Sequence, residues 1–206
     1  MKTRMISLVI TAAGLLFLAG CFGSTGPARF YALSPMEQAP TGQGAKTGTS
    51  EIAVGIGPIK IADYLDRSDI VTRDTGHTVK LAEFEQWAGS FENNFTHALA
   101  ENIGFLLKSD HIYVHPWPRP VPADYRIALE VIRFDGKLGG DACLVARWSV
   151  FGEESKKLLA VKRSSIQEPT GGSGYEDLVA AESRALAKLS QEIAQVIIAK
   201  ANDPDR

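Results

Sequence analysis

Three stretches in the second half of the chain alternate apolar and polar residues, which predicts three consecutive strands of one sheet. They span residues 124–134, 142–151 and 158–167. Alternation with a period of two places every second side chain on the buried face of a sheet. Glycine-containing turns at 135–140 and 152–157 separate the strands. The pattern therefore predicts an antiparallel meander.

Shorter apolar segments in the first half of the chain predict further strands, at 29–33, 51–57, 69–73, 78–81 and 112–114. Residues 62–67 are expected to form a turn, and residues 74–77 have the composition of a hairpin turn. Pro58 is expected to end its strand or to place it at a sheet edge, because proline has no N–H for the ladder.

Two longer segments have the three- and four-residue spacing of amphipathic helices. The first spans 84–107, with apolar positions at Phe84, Trp87, Phe91, Phe95, Leu99, Ile103 and Leu106. The second is expected to start at a capping box formed by Ser173 and Glu176 and to continue to about Ala201. Strands and helices together predict an α+β fold, a two-layer α/β sandwich with a mixed, mostly antiparallel sheet and two long helices.

One side of the second helix carries small residues at regular spacing. Ala180, Ala187 and Ala194 recur every seven residues, with Ile198 nearby. Small side chains let another backbone approach closely, so these four residues are candidates for contact with a second helix or with a neighbouring subunit. Alanine is also the strongest helix former, which explains the pattern without any contact.

The first twenty residues predict a secretory signal peptide. Lys2 and Arg4 precede an uncharged apolar run over residues 5–20, which is shorter than the roughly 20 residues of a spanning helix. The run ends in Leu-Ala-Gly-Cys at 18–21, the lipobox pattern of bacterial lipoproteins. Cleavage is therefore expected before Cys21, whose thiol becomes the site of lipidation. A plain secretory signal with a chance cysteine is the alternative.

Lipidation of Cys21 would anchor the protein durably, because two or three acyl chains such as palmitate bind a bilayer much more strongly than one. The next residue is Phe22 rather than the aspartate that commonly retains lipoproteins at the inner membrane. We therefore expect attachment to the periplasmic face of the outer membrane. The nine residue steps from Cys21 to Phe30 reach at most about 30 Å, so the body stays beside its membrane.

The chain is expected to divide into a signal peptide at 1–20, a tether at 21–28, one domain at 29–201 with a flexible linker at 35–50, and a tail at 202–206. Removal of the signal peptide takes Lys2 and Arg4, which leaves 20 of the 22 basic residues against 24 acidic ones. A negative chain without a basic stripe argues against binding to nucleic acid.

The sequence contains no pattern that supports catalysis, a cofactor or a metal. It has no Gly-x-Ser-x-Gly motif, no phosphate-binding loop and no Cys-x-x-Cys pair. His111 and His115 lack a nearby third ligand. Cys143 lies in a strand-like run and is expected to be a small buried hydrophobe. We therefore expect a protein that is not an enzyme.

Several motifs between residues 21 and 198 occur in a distinctive order. After the lipobox come Phe30-Tyr31-x-Leu33, Tyr64-Leu65-Asp66-Arg67 with Ile70-Val71-Thr72-Arg73, Pro116-Trp117, and Tyr175-x-x-Leu178-Val179. This combination resembles the ABC-type transport auxiliary lipoprotein family, and the Tyr-Leu-Asp-Arg segment is its most specific part.

The resemblance implies a periplasmic α/β sandwich, tethered to the outer membrane and without catalytic residues. It implies as partners an MCE-domain periplasmic protein and its membrane transporter, which carry lipids or other hydrophobic molecules between membranes. It also implies that members can assemble into homo-oligomeric rings.

The candidate partner contact is the turn containing Tyr64, Leu65, Asp66 and Arg67. Tyrosine and arginine are enriched among the residues that dominate binding energy at interfaces. The alternative is that Asp66 and Arg67 fix the turn internally.

A second function is compatible with the sequence: a periplasmic carrier that binds lipid in a pocket of its own. The wide aromatic stripe of Phe84, Trp87, Phe91 and Phe95 favours it. Ordinary packing of these rings in the core explains the same stripe.

Overall fold

The computed structural model describes residues 26–36, 51–117, 120–152 and 156–203. The predicted signal peptide, Cys21, most of the 35–50 linker and the last three residues lie outside them. The described residues form eight strands and two helices: β1 Arg29–Tyr31, β2 Val54–Ile61, β3 Asp69–Arg73, β4 Val79–Trp87, α1 Phe91–Leu107, β5 Ile112–Val114, β6 Tyr125–Gly136, β7 Asp141–Gly152, β8 Lys157–Pro169 and α2 Tyr175–Ala201.

The eight strands belong to one mixed sheet whose central strand is β6. β7 pairs with one edge of β6, and β2 and the end of β3 share the other edge. The sheet continues through β3 and β4 to β1, through β2 to β5, and through β7 to β8. The helices pack on each other and on this sheet, α1 over β2 and β5 and α2 over β6, β7 and β8.

This architecture confirms the α+β class and the two-helix sandwich, but the sheet is less antiparallel than expected. Four of the seven strand pairings in the described residues are parallel. The antiparallel pairings are the β3–β4 hairpin and the meander. Alternation reveals which face of a strand is buried and is blind to strand direction. In three of the four parallel pairings, α1 lies between the two strands in the chain and returns it across the sheet before β5 and β6; β1 and β4 both precede α1.

The β6–β7–β8 meander, the hairpin after β3 and the short strand β5 are all confirmed. β2 differs from the expectation because it continues through Pro58 to Ile61. Its pairing with β5 ends at Ile56, so on that side Pro58 has no partner strand that needs its missing N–H. The register with β6 shifts between Ile56 and Ile59, which accommodates the proline.

The first helix begins seven residues later than predicted, so Phe84 and Trp87 belong to β4. Gly89 has a φ of +106°, and the Ser90 side chain caps the helix by accepting a hydrogen bond from the Asn93 N–H. The Phe84–Trp87–Phe91 spacing imitates helical periodicity because Trp87, at the end of the strand, and Phe91, at the start of the helix, bury their rings in one core. The prediction of a single helix over 84–107 was therefore wrong for 84–90 and right for 91–107.

The second helix ends where predicted, but its cap lies one residue later. Gly174 is the N-cap, and its backbone N–H donates a hydrogen bond to the Asp177 carboxylate at 3.0 Å. Ser173 and Glu176 do not form the cap. The first turn lies tightly on β6: a Cβ on Gly136 would stand 2.6 Å from Leu178 Cδ1. Glycine at 136 thus allows α2 to approach the sheet.

Candidate partner-binding site

The candidate contact turn lies between β2 and β3, alongside the second half of β6. In β6, Phe134 packs on Phe91 and Phe95 of α1, and Gly136 lies beneath Leu178 of α2. Asp135 stands between them and therefore points to the opposite, outer face of the sheet. The turn crosses this outer face and brings Tyr64 to Asp135.

Asp135 is fully buried and accepts hydrogen bonds from three side chains. Tyr64 Oη donates to Oδ2 at 3.0 Å. Arg73 donates through Nε at 3.1 Å and through Nη2 at 2.9 Å, and Arg133 Nε donates to Oδ1 at 2.8 Å. These four residues are the Asp135 cluster. Its fork-like arginine contact is the strong form of the carboxylate–guanidinium bond.

Electrostatics in the Asp135 cluster favour a charged carboxylate. Burial pushes the pKa of Asp135 upward, but the hydrogen bonds from Arg73 and Arg133 outweigh burial and hold that pKa below its ordinary value. Burial, and then the Asp135 charge, raises the pKa of Tyr64 to about 12. Tyr64 therefore keeps its proton near neutral pH and acts as a fixed donor to Asp135.

The four residues of the candidate contact consequently have different positions. Tyr64 is tied to Asp135, and Leu65 is 3% exposed. Asp66 is exposed and Arg67 is half-buried. The backbone closes the turn through Leu65 N–H to Ala62 O at 2.8 Å and Arg67 N–H to Leu65 O at 2.8 Å. Tyr64 and Leu65 thus serve the fold, and Asp66 and Arg67 offer the accessible surface.

The small-residue face of α2 is only partly available to another subunit. Ala194 is 2% exposed, and on the same side Ser190 Oγ accepts a hydrogen bond from Asn102 Nδ2 of α1 at 3.2 Å. Part of this face of α2 is therefore in contact with α1 of the same chain. Ala180 and Ile198 are exposed and Ala187 is half-buried. A contact between subunits at these three positions stays a prediction.

Three of the four rings in the aromatic stripe that motivated a lipid pocket, those of Trp87, Phe91 and Phe95, are part of the core, and Phe84 is half-buried. Phe91 packs on Trp87, Phe95 and Phe134 with ring centroids 5.2–5.9 Å apart. A pocket of about 160 Å³ opens instead between β2 and α1, lined by Ile56, Gly57, Pro58, Ile59, Glu92, Thr96 and His115. Pockets that enclose a ligand usually measure roughly 300–1,000 Å³. This pocket is below that range and therefore does not support the carrier function.

Sequence reasoning missed the Asp135 cluster. The Asp-Gly pair at 135–136 is a strong turn signal and predicts a turn, whereas the structure places both residues in β6. The sequence did contain one signal for the cluster. Asp135, Arg133 and Arg73 are three charged residues in or beside predicted strands. Glu182 was also missed; it is 2% exposed on the core side of α2.

Within the described ranges, no group of three potential metal-ligating side chains comes together. The two helices seen there are also too short or too polar to span a bilayer. Cys143 is buried beside the Asp135 cluster as the β7 partner of Asp135, and burial raises its thiol pKa.

Comparison with known families identifies the domain that contains this site. Residues 31–194 match the model of the ABC-type transport auxiliary lipoprotein component. The chain belongs to this family. The match includes the candidate turn, the Asp135 cluster and most of α2, so these elements lie within the auxiliary lipoprotein domain itself.

Solved structures support the fold of this auxiliary lipoprotein. An uncharacterised protein is 17% identical with a TM-score of 0.67, over 84% of this chain and 99% of that one. Protein XCC0632 from Xanthomonas campestris is 15% identical with a TM-score of 0.63, over 84% and 98%. No curated protein matches the sequence. At these identities the likeness concerns the fold alone.

Proposed function

We propose that this auxiliary lipoprotein is anchored to the periplasmic face of the outer membrane and serves an MCE-type system that carries lipids or other hydrophobic compounds between membranes. The observation that carries the proposal is the family match over residues 31–194, preceded by a lipobox at 18–21. A lipid anchor and a transport-auxiliary domain on one chain combine attachment to a membrane with a role beside a transporter.

The short tether supports an adaptor that stays beside its membrane and binds its partner there. The body begins with β1 at Arg29, and the nine residue steps from Cys21 to Phe30 reach at most about 30 Å. The domain thus stays within one tether length of its bilayer. A longer partner, the MCE-domain protein with its membrane transporter, has to cover the remaining distance.

Asp66 and Arg67 are the proposed contact for that partner. The Asp135 cluster holds Tyr64 from behind, and Leu65 is buried, so the two charged residues are presented on a rigid base. A preorganised contact loses less conformational entropy on binding.

Binding to a purified MCE-domain protein encoded near this chain tests the proposal. We expect the charge swap Asp66→Lys with Arg67→Glu to weaken binding at least tenfold. The matched control is Glu101→Lys with Arg163→Glu, an exposed swap on α1 and β8 that leaves affinity unchanged. Failure of the unaltered domain to bind overturns the proposed function. Equal binding by the two swaps overturns only the choice of contact.

Intact-mass measurement of the protein made in bacteria tests the anchor. We expect a mature chain that begins at Cys21 and carries diacylglycerol, and that stays with the outer-membrane fraction in a detergent-free wash. Cys21→Ser should abolish the diacylglycerol mass and remove the protein from the outer-membrane fraction. An unmodified thiol at position 21 would contradict lipid anchoring.

A further inference from the structure

Three large apolar side chains are exposed on the part of the sheet that follows the tether. Phe30 of β1 is 65% exposed, and Leu81 and Val79 of β4 are 48% and 38% exposed. Single exposed apolar residues are ordinary, but grouped ones usually mark a contact. These three residues are the β1 patch.

Strand register places the β1 patch on one face. Gln86 pairs with both Phe30 and Asp69, while Leu81 pairs with Val71 and Val79 with Arg73. The β3–β4 register shifts between Asp69 and Val71, where β4 bulges, so the face is followed along β3. The three β3 partners are spaced by two residues, so they point to the same side of the sheet. Their cross-strand partners point to that side with them.

Arg73 identifies this side as the outer face. Its guanidinium binds Asp135, which points away from the helices. The β1 patch is therefore not covered by α1 or α2. It lies on the same face as the candidate turn, further along the sheet toward the β1 edge.

Tether length indicates what meets this patch. Phe30 is at most about 30 Å of chain from Cys21, and it belongs to the first described strand after the tether. β8 lies five strand positions from β1, about 24 Å further along the sheet at 4.8 Å per strand. Among the exposed apolar residues of the sheet, the β1 patch is thus closer to the end of the tether than Leu158 and Val161 of β8.

We infer that the β1 patch rests on the bilayer that holds the lipid anchor, so that Phe30, Leu81 and Val79 enter its interfacial region. The inference rests on the proposed membrane attachment. It adds an orientation: the β1 edge faces the lipid and the β8 edge faces away. Amphipathic surfaces bind at the interface through their buried apolar area.

Depth-dependent quenching tests this orientation. The chain from residue 21 onward, with Cys143→Ala, is coupled through Cys21 to maleimide lipid in vesicles containing brominated phospholipid. Chemical coupling makes this test independent of lipidation in the cell. The variant Phe30→Trp reports on the patch. Val161→Trp is the matched control, because Val161 is 55% exposed on the distant strand β8.

We expect bromolipid to quench the fluorescence added by Phe30→Trp at least twofold more strongly than that added by Val161→Trp. Phe30→Trp with Leu81→Asp should lose most of this difference. Equal quenching of the two single variants overturns the inference. Blue-shifted emission from Phe30→Trp without vesicles also overturns it, since a second copy of the chain then covers the patch. Failure of lipidation in cells, measured separately by intact mass, overturns the anchor alone.

Discussion

Asp135 and Glu182 are both almost completely removed from solvent, yet their surroundings differ in every other respect. Asp135 lies on the outer face of the sheet and accepts hydrogen bonds from Tyr64, Arg73 and Arg133. Glu182 lies on α2, and its Oε2 has no hydrogen-bond partner among the described residues. Partners, more than burial, decide whether an acid stays charged inside a protein.

The pKa values of the two acids consequently move in opposite directions. The pKa of Asp135 is lowered because the arginine hydrogen bonds outweigh its burial. The pKa of Glu182 is raised well above 4.5, mainly by burial and additionally by the negative charge of Asp135. The surroundings of Asp135 therefore favour the carboxylate, and those of Glu182 favour the protonated acid. The contrast predicts opposite responses to pH and to substitution.

The largest effect is expected from Asp135→Ala. It leaves Arg73 and Arg133 without their shared anion, and breaking such a buried pair costs about 3–5 kcal/mol of unfolding free energy. We expect about 3 kcal/mol, the lower end, because the Arg133 side chain is 36% exposed. Urea unfolding monitored by circular dichroism measures this loss. The control is Asp74→Asn, which changes an exposed acid. A loss below about 1 kcal/mol of unfolding free energy for Asp135→Ala would refute a structural role for the cluster.

A pH series sharpens this prediction. Because the folded pKa of Asp135 is lowered, its contribution is present above the ordinary value of 3.8 and disappears as pH falls below it. The stability gap between the unaltered protein and Asp135→Ala should therefore narrow in acid. A gap that is constant from about pH 7 to about pH 3 would show that the carboxylate charge is unimportant.

Glu182→Gln should give the second-largest effect, with the opposite pH dependence. The folded pKa is raised, so the stabilising protonation is complete below the ordinary value of 4.5 and is lost as pH rises toward the folded pKa. Relative to Glu182→Gln, the unaltered protein should lose unfolding free energy as pH rises above the ordinary value of 4.5 toward the folded pKa. Urea unfolding at each pH measures this loss. Parallel stability curves for the two proteins would contradict the prediction, and Glu101→Gln on the surface is the control.

Tyr64→Phe should cost about 1 kcal/mol, the usual net value of one hydrogen bond. The substitution removes the bond from Tyr64 Oη to Asp135 and keeps the ring. We expect affinity for the proposed MCE-domain partner to stay within twofold, because Asp66 and Arg67 form the proposed contact. Weaker binding with unchanged stability would instead make the Tyr64 hydroxyl part of the interface.

The smallest effect is expected from Arg147→Ala. Arg147 binds Glu130 at 2.7 Å on an open strand surface, and its side chain is 56% exposed. Exposed ion pairs contribute about 0–1 kcal/mol. Urea unfolding should show a change below about 0.5 kcal/mol, which fades at high salt. A loss comparable to that of Asp135→Ala would remove the distinction between buried and exposed pairs.

Local signals in the sequence predicted the elements better than the site. The meander, the β3–β4 hairpin and the end of α2 follow from alternation, turn composition and helix-stop residues, all of which act over a few neighbouring positions. The junction of β4 and α1 was mistaken because two periodicities share one aromatic core. Parallel pairing was underestimated because alternation carries no information on strand direction.

Residue types and local order by themselves determined that this chain has an α+β body preceded by a lipobox, and that its most specific segment is the turn at Tyr64–Arg67. Only the tertiary structure decided which residues hold that turn. Residues 64, 73, 133 and 135 meet through contacts up to 71 positions apart, which no short-range pattern encodes. Tertiary surroundings lower the pKa of Asp135 and raise that of Glu182, although both are acids of similar intrinsic strength.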